Sequence, residues 1–154
     1  MPTKPHPDHA PLELECFLPY QLSIVSNTVS QAIADDYQAH HDLGVTEWRV
    51  MAVLARFDGL SAREVAERTA MDKVAVSRAL ARLVAAGRVR RHIHANDKRR
   101  SVLGLTAAGW EIHDEVAPMA RQRERELLAR LEAEEQAWLR RILDKLMGEI
   151  EAKR

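Results

Sequence analysis

Apolar positions recur every three or four residues early in the chain. Leu18, Leu22, Val25, Val29, Ile33 and Tyr37 fall on one face of a long helix. Pro19 suits its first turn. His40-His41-Asp42-Leu43-Gly44 closes it, with Gly44 expected as the helix stop. Residues 1–13 are rich in Pro and His, show no period and read as a loose arm. A second helix is expected behind Thr46 as its N-cap, with Trp48, Met51, Ala52, Leu54 and Ala55 turned inward. Phe57-Asp58-Gly59 then makes a turn.

From Ser61 the segments shorten. Ser61 and Glu64 spell S-x-x-E, a capping box, ahead of a short helix with Val65 and Ala66 inward. Thr69-Ala70-Met71 leaves room only for a tight turn, and Asp72 is the N-cap of the next helix. Val76, Leu80, Leu83 and Val84 predict its buried face, Lys73, Ser77, Arg78 and Arg82 its open one, and Gly87 its end. The period then changes to two. Val89 to His94 and Ser101 to Leu105 read as strands around a turn at residues 95–100, whose tip is basic.

Thr106 caps a long helix from Ala107 to about Leu131, with Pro118 inside it. Trp110, His113, Val116 and Ala120 lie on one side, and Arg121 to Arg130 alternates charges as a solvated surface does. Glu132 to Glu135 breaks the helix. A last one follows, striped with Leu139, Ile142, Leu143, Leu146 and Ile150 and widened by Trp138.

The expected fold is mainly α with a small β-wing: a winged helix-turn-helix flanked by N- and C-terminal dimerisation helices. Its parts are a flexible arm (1–13), a dimerisation helix that also walls a pocket (14–45), the winged unit (46–106) and C-terminal helices for dimerisation (107–154). The apolar stripes of the first and last helices exceed what so small a winged unit can cover. A second copy of the chain is the natural cover, and two-fold symmetry suits a palindromic DNA site.

Composition first argues against DNA. The 154 residues carry no net charge, and the pI is about 7.1. The distribution reverses that reading. Between Lys73 and Arg100 stand nine basic residues against one acid, Asp97, a local net of +8 that the rest of the chain offsets with −8. Phosphates respond to such a local patch rather than to the total, and a basic hairpin tip fits phosphate or the minor groove. The single cysteine, Cys16, excludes an internal disulfide and a multi-cysteine zinc site. There is no apolar leader and no membrane-length run, so a cytoplasmic protein is expected. No Gly-rich phosphate loop, nucleophile elbow or metal-binding helix motif is present, so neither an enzyme nor a cofactor is expected.

The run Asp97-Lys98-Arg99-Arg100-Ser101-Val102-Leu103-Gly104-Leu105-Thr106 resembles the D-x-R-x-x-x-x-x-L-T wing signature of MarR-type regulators. The stretch Met71 to Arg91 is similar to that family's recognition helix and first wing strand, and the likeness extends over almost all the chain past residue 12. The resemblance implies a homodimeric transcriptional regulator, usually a repressor, on double-stranded DNA. A small effector, often phenolic or an aromatic carboxylate, would bind between the dimerisation and DNA-binding parts. By chemistry, Ser77 and Arg78 are then the base-edge candidates. Lys73, Arg82 and Arg100 are phosphate candidates, Lys98 is a further DNA-binding candidate, and Arg99, at the family's wing arginine, would enter the minor groove. Asp97 suits holding the wing. Ser23, Asn27, His41, Trp48, Arg49 and His113 are the effector candidates: Arg49 or a histidine for a carboxylate, Trp48 for a ring. The bland alternatives are a core Trp48 and an Arg49 that is a surface or intersubunit charge.

Three rival readings accompany this one. One branch of the family senses hydroperoxides through a cysteine near the start of the first helix, where Cys16 stands. That branch's later tyrosines are replaced here by Ser30 and His41. His40, His41, Glu47 and His113 could gather around a metal, although no ligand spacing marks them and no metal is expected. A DNA-architectural protein without a regulatory role is the third, separated from a regulator by its low ratio of specific to nonspecific affinity.

Overall fold

The computed structural model describes residues 9–94 and 97–151, with the side chains of all these except residues 94, 97–100 and 149–151. A single 3-10 turn, Leu14–Cys16, precedes α1 (Leu18–His41). Then follow α2 (Val45–Arg56), α3 (Ala62–Thr69), α4 (Lys73–Ala85), the hairpin β1 (Val89–His94) and β2 (Asp97–Leu105), α5 (Ala107–Leu128) and α6 (Ala133–Glu151). This is a winged helix-turn-helix, mostly helical, with one small antiparallel sheet.

Local chemistry sets most boundaries. The Ser61 hydroxyl accepts from the Glu64 amide, and the Glu64 carboxylate accepts from the Ser61 amide at 2.7 Å, closing the capping box. Asp72 accepts from the amides of Val74 and Ala75 and starts α4. Gly87 ends α4 at φ +70°: its amide donates to Val84 O and that of Arg88 to Leu83 O, a Schellman motif. Thr106 caps α5 by accepting from the Gly109 amide.

Several expectations need correction. The left-handed residue that ends α1 is Asp42 (φ 46°), not Gly44; a short polar side chain tolerates that conformation. Gly44, rather than Thr46, occupies the N-cap of α2. There a Cβ would lie 2.5 Å from the Glu47 carboxylate, so the missing side chain makes room for that acid. Val84 is exposed, and Ala79 takes its place on the buried face of α4. Strand β2 starts at Asp97, not Ser101, so the backbone of Lys98, Arg99 and Arg100 is in the strand. Val89 pairs with Leu105 and His94 with Asp97, with a register shift between Ile93 and His94. Leu60 adds an isolated bridge to Leu103, whose amide donates to Leu60 O at 2.8 Å. Helix α5 ends at Leu128, and α6 already includes Glu134 and Glu135. Within the charge-dense stretch, Arg123 grips Asp36 of α1 with two hydrogen bonds of 2.6 Å. That bonding holds the Asp36 carboxyl below the usual carboxylate range, so the α1–α5 tie weakens only on acidification below that range.

One core unites the pieces. Tyr37 of α1, Val50, Met51 and Leu54 of α2, Val65 of α3, Val76, Leu80 and Leu83 of α4, Leu103 of β2 and Val116 of α5 are buried together. The rest of the apolar stripes lie outside it. Leu18, Leu22 and Val25 of α1 are exposed, as are Trp138, Leu139, Ile142, Leu143, Leu146 and Met147 of α6. Gln136 is the half-buried exception among the described side chains of α6; its side-chain amide donates to Leu128 O and Leu131 O, at and just past the end of α5.

Candidate nucleic-acid interface and effector cleft

Helix α4 presents Lys73, Val74, Ser77, Arg78, Ala81 and Arg82 to solvent while its other side enters the core. Among the described residues Lys73, Ser77 and Arg78 have no hydrogen-bond or ion-pair partner, so their donors are available to a ligand. Arg82 differs. Its Nη1 lies 3.2 Å from Oε1 of Glu47, an acid only 8% exposed, and so it ties α4 to the start of α2. Buried carboxylates need such a partner. The side chains of Lys98, Arg99 and Arg100 lie outside the described residues; their backbone places them on β2, next to the hairpin tip.

The base of the hairpin is anchored on two sides. The Thr106 hydroxyl donates to Gly87 O at 2.6 Å and the Thr106 amide to Arg88 O at 3.1 Å. The Arg88 guanidinium reaches back to His41 O and Asp42 O, the last carbonyls of α1. A guanidinium at a helix C-terminus meets both unsatisfied acceptors and the negative end of the helix dipole. Sequence reading left Arg88 as one basic residue among nine, because its partner lies 46 residues away.

The effector candidates divide. A cleft of about 140 Å³ between α1 and α2 is lined by Ser30, Ile33, Tyr37, Val45, Trp48, Arg49 and Ala52. An engineered apolar cavity of roughly 150 Å³ holds a benzene ring. Arg49 and Trp48 are therefore at the cleft, and Arg49 Nη2 donates to Ser30 Oγ at 3.1 Å. His113 stands behind Trp48, stacked on it at 5.8 Å between centroids, with Trp110 edge-on at 5.3 Å. His41 pairs with Glu115 at 3.1 Å. Ser23 and Asn27 are exposed farther up α1 and do not line this cleft, whereas Ser30 of the same helix does. Sequence reading placed Ile33 and Tyr37 on the apolar face of the first helix, and neither at the cleft. The Tyr37 hydroxyl is buried without a hydrogen-bond partner among the described residues. Burial, with a smaller push from Glu47, raises its pKa to about 12, against the opposing pull of Arg49. The spacing Ser30, Ile33, Tyr37 on one helical face was the available signal.

Cys16 is exposed on the turn before α1. Among the described residues no group of three or more His, Cys, Asp and Glu side chains is placed to hold a metal; Glu47 and His41 are engaged with Arg82 and Glu115 instead. No helix among them is long and apolar enough to cross a membrane.

Comparison with known proteins agrees with this geometry. A model of the MarR family matches residues 41–100, from the end of α1 into the hairpin. Transcriptional regulator HosA of Escherichia coli O127:H6 is 33% identical over 107 residues, which cover 70% of this chain and 79% of HosA. The chain belongs to the MarR family. It is thus a member of a family of DNA-binding transcriptional regulators. Among solved structures, a MarR/EmrR family transcriptional regulator from Acinetobacter sp. ADP1 superposes with TM-score 0.82 at 26% identity, over 92% of this chain and 99% of its own. A mutant MarR from Escherichia coli complexed with operator DNA gives TM-score 0.73 at 25% identity, over 89% and 99%. The MarR-family match ends inside β2, so it covers α4 and the wing tip but neither α5 nor α6.

Proposed function

We propose that this MarR-family chain is a cytoplasmic homodimer that binds a palindromic operator and represses transcription until a small aromatic carboxylate releases it. The observation that carries the DNA half is the open face of α4, where Ser77 and Arg78 stand beside Lys73 with no partner among the described residues, while the opposite face is locked into the core. Arg78 takes a guanine by two hydrogen bonds, and Lys73 and the wing residues Lys98, Arg99 and Arg100 take phosphate and minor groove. The uncovered apolar faces of α1 and α6 support the second copy. A regulatory rather than an architectural role is tested by the ratio of specific to nonspecific affinity at physiological salt, expected above about 1,000-fold.

The α1–α2 cleft supports the effector. Arg49 supplies a cation, Trp48 a ring face, and Tyr37 a buried hydroxyl in need of a partner. An effector that releases DNA must bind the conformation unfit for DNA more tightly than the fit one. A cleft between α1, a dimerisation element, and α2, part of the DNA-binding unit, is placed to make that difference.

A thermal-shift screen of aromatic acids and their thioesters, followed by competition for bound DNA, tests this half. Arg49→Gln should weaken the best ligand about 10-fold or more, since a charged hydrogen bond is lost. Tyr37→Phe should weaken it as well, yet leave the ligand-free protein as stable as before or up to about 1 kcal/mol more stable, because the hydroxyl it removes has no partner. The pH sign is also specific. A raised tyrosine pKa stabilises the fold fully below the ordinary value of 10 and loses that contribution as pH climbs towards 12. Tyr37→Phe should therefore flatten the alkaline limb of unfolding. A screen with no ligand, or variants that bind like the wild type, would reject the cleft.

A further inference from the structure

Val74 is the outlier on the open face of α4. It is 56% exposed, an unusual place for a β-branched apolar side chain on a helix whose remaining large apolar residues are buried, apart from Val84 near the far end. It is not there for capping, because the Asp72 cap uses its backbone amide and not its side chain. At 100° per residue, Val74 lies within about 10° of the point opposite the buried residues Val76, Ala79, Leu80 and Leu83. Ser77 and Arg78 flank it on either side, and Ala81 and Ala85 continue the same line towards the C-terminal end. The midline of the face is therefore apolar and thin, and the polar groups stand at its edges. A helix of that section can settle deep in a major groove. There the first turn, which carries Val74, comes closest to the base edges. The one apolar feature on a base edge in that groove is the C5 methyl of thymine.

We infer that Val74 is a specificity-determining residue that contacts a thymine methyl in each half-site, next to the base pair read by Arg78. The inference rests on the DNA-binding reading above. The contact adds no hydrogen bond. It removes two small apolar surfaces from water and excludes cytosine, which lacks the methyl.

The test uses the duplex that the wild-type chain selects from a random-sequence pool, remade with each thymine in turn replaced by deoxyuridine. This deletes one methyl and leaves base pairing intact. One thymine per half-site should prove sensitive, with wild-type affinity falling about 4-fold for each buried methyl lost. Val74→Ala should bind the unmodified duplex more weakly and show less than about 2-fold further loss on deoxyuridine at that same position. Val74→Thr keeps one methyl on Cβ and should retain part of the sensitivity. All variants should melt with the wild type, since the side chain is outside the core. Equal deoxyuridine sensitivity in wild type and Val74→Ala, or none in the wild type, overturns the assignment while leaving DNA binding in place. A wild-type chain that selects no duplex overturns the DNA reading, and this inference with it.

Discussion

Leu143→Glu is expected to halve the particle from twice 17.5 kDa to 17.5 kDa and to weaken binding to a two-half-site duplex by about 100-fold or more. In the isolated chain Leu143 is solvent-exposed, together with Trp138, Leu139, Ile142, Leu146 and Met147 on the same helix. A substitution at an exposed site away from any contact costs at most about 0.5 kcal/mol. A monomer would therefore tolerate the glutamate. If instead the α6 face is covered by a second copy, the change puts a carboxylate into an apolar interface with no cation to meet it. The two cases separate cleanly, because neither core nor α4 is touched. Analytical ultracentrifugation reads the mass, and titration of a duplex carrying one or two half-sites reads the linkage. Unchanged mass and affinity would place the dimer contact elsewhere.

Gly109→Ala should destabilise the protein by about 3 kcal/mol, towards the upper end of what overpacking costs. In a solvent-facing helix the same change stabilises by about 1 kcal/mol, since alanine is the better helix former. Here the sign reverses. The added Cβ would stand 2.1 Å from Arg88 O and 3.1 Å from Arg88 C. Both are backbone atoms, held by the bonds that Thr106 makes to Gly87 and Arg88. The link between α4 and β1 cannot retreat without pulling Arg88 away from the end of α1, so the clash also loosens the hairpin base. A lower urea midpoint with an unchanged slope is the expected record. A midpoint at or above that of the wild type would mean that α5 packs less closely on the Arg88 backbone than the structure has it.

The sequence was most legible where a boundary depends on neighbours within four residues. The caps Ser61, Asp72 and Thr106 and the terminator Gly87 are of this kind, because a hydroxyl or carboxylate beside free amides acts locally. Non-local bonding decided the rest. Strand β2 runs back to Asp97 because β1 offers it partners as far as His94, not because residues 97–100 alternate. Leu60 bridges to Leu103 across 43 positions, and Arg88 finds the carbonyls of α1. Gly44 misled for a different reason. A glycine can serve as a helix stop or as space for a neighbour, and here Glu47 uses the space.

The candidate site divides along the same line. Lys73, Ser77 and Arg78 share a face by helical period alone, which a sequence displays. The cleft depends on how α1 crosses α2, which no local pattern states. Trp48 and Arg49 could be named from their chemistry, but Ser23 and Asn27 sit too far up α1 to join them, and Tyr37 read as core. It is core, and its hydroxyl is buried at the cleft with no hydrogen-bond partner among the described residues.

The most direct test of the account is selection from a random-duplex pool, run in parallel with the wild type and with Arg78→Ala. The wild type should enrich a two-fold-symmetric sequence with half-site centres about 10 base pairs apart. Arg78→Ala should lose preference at one base pair in each half-site, at a cost of about 1–3 kcal/mol on the wild-type sequence. Enrichment of no sequence, or an Arg78→Ala protein weakened equally on every duplex, would contradict the claim that α4 reads DNA through this face.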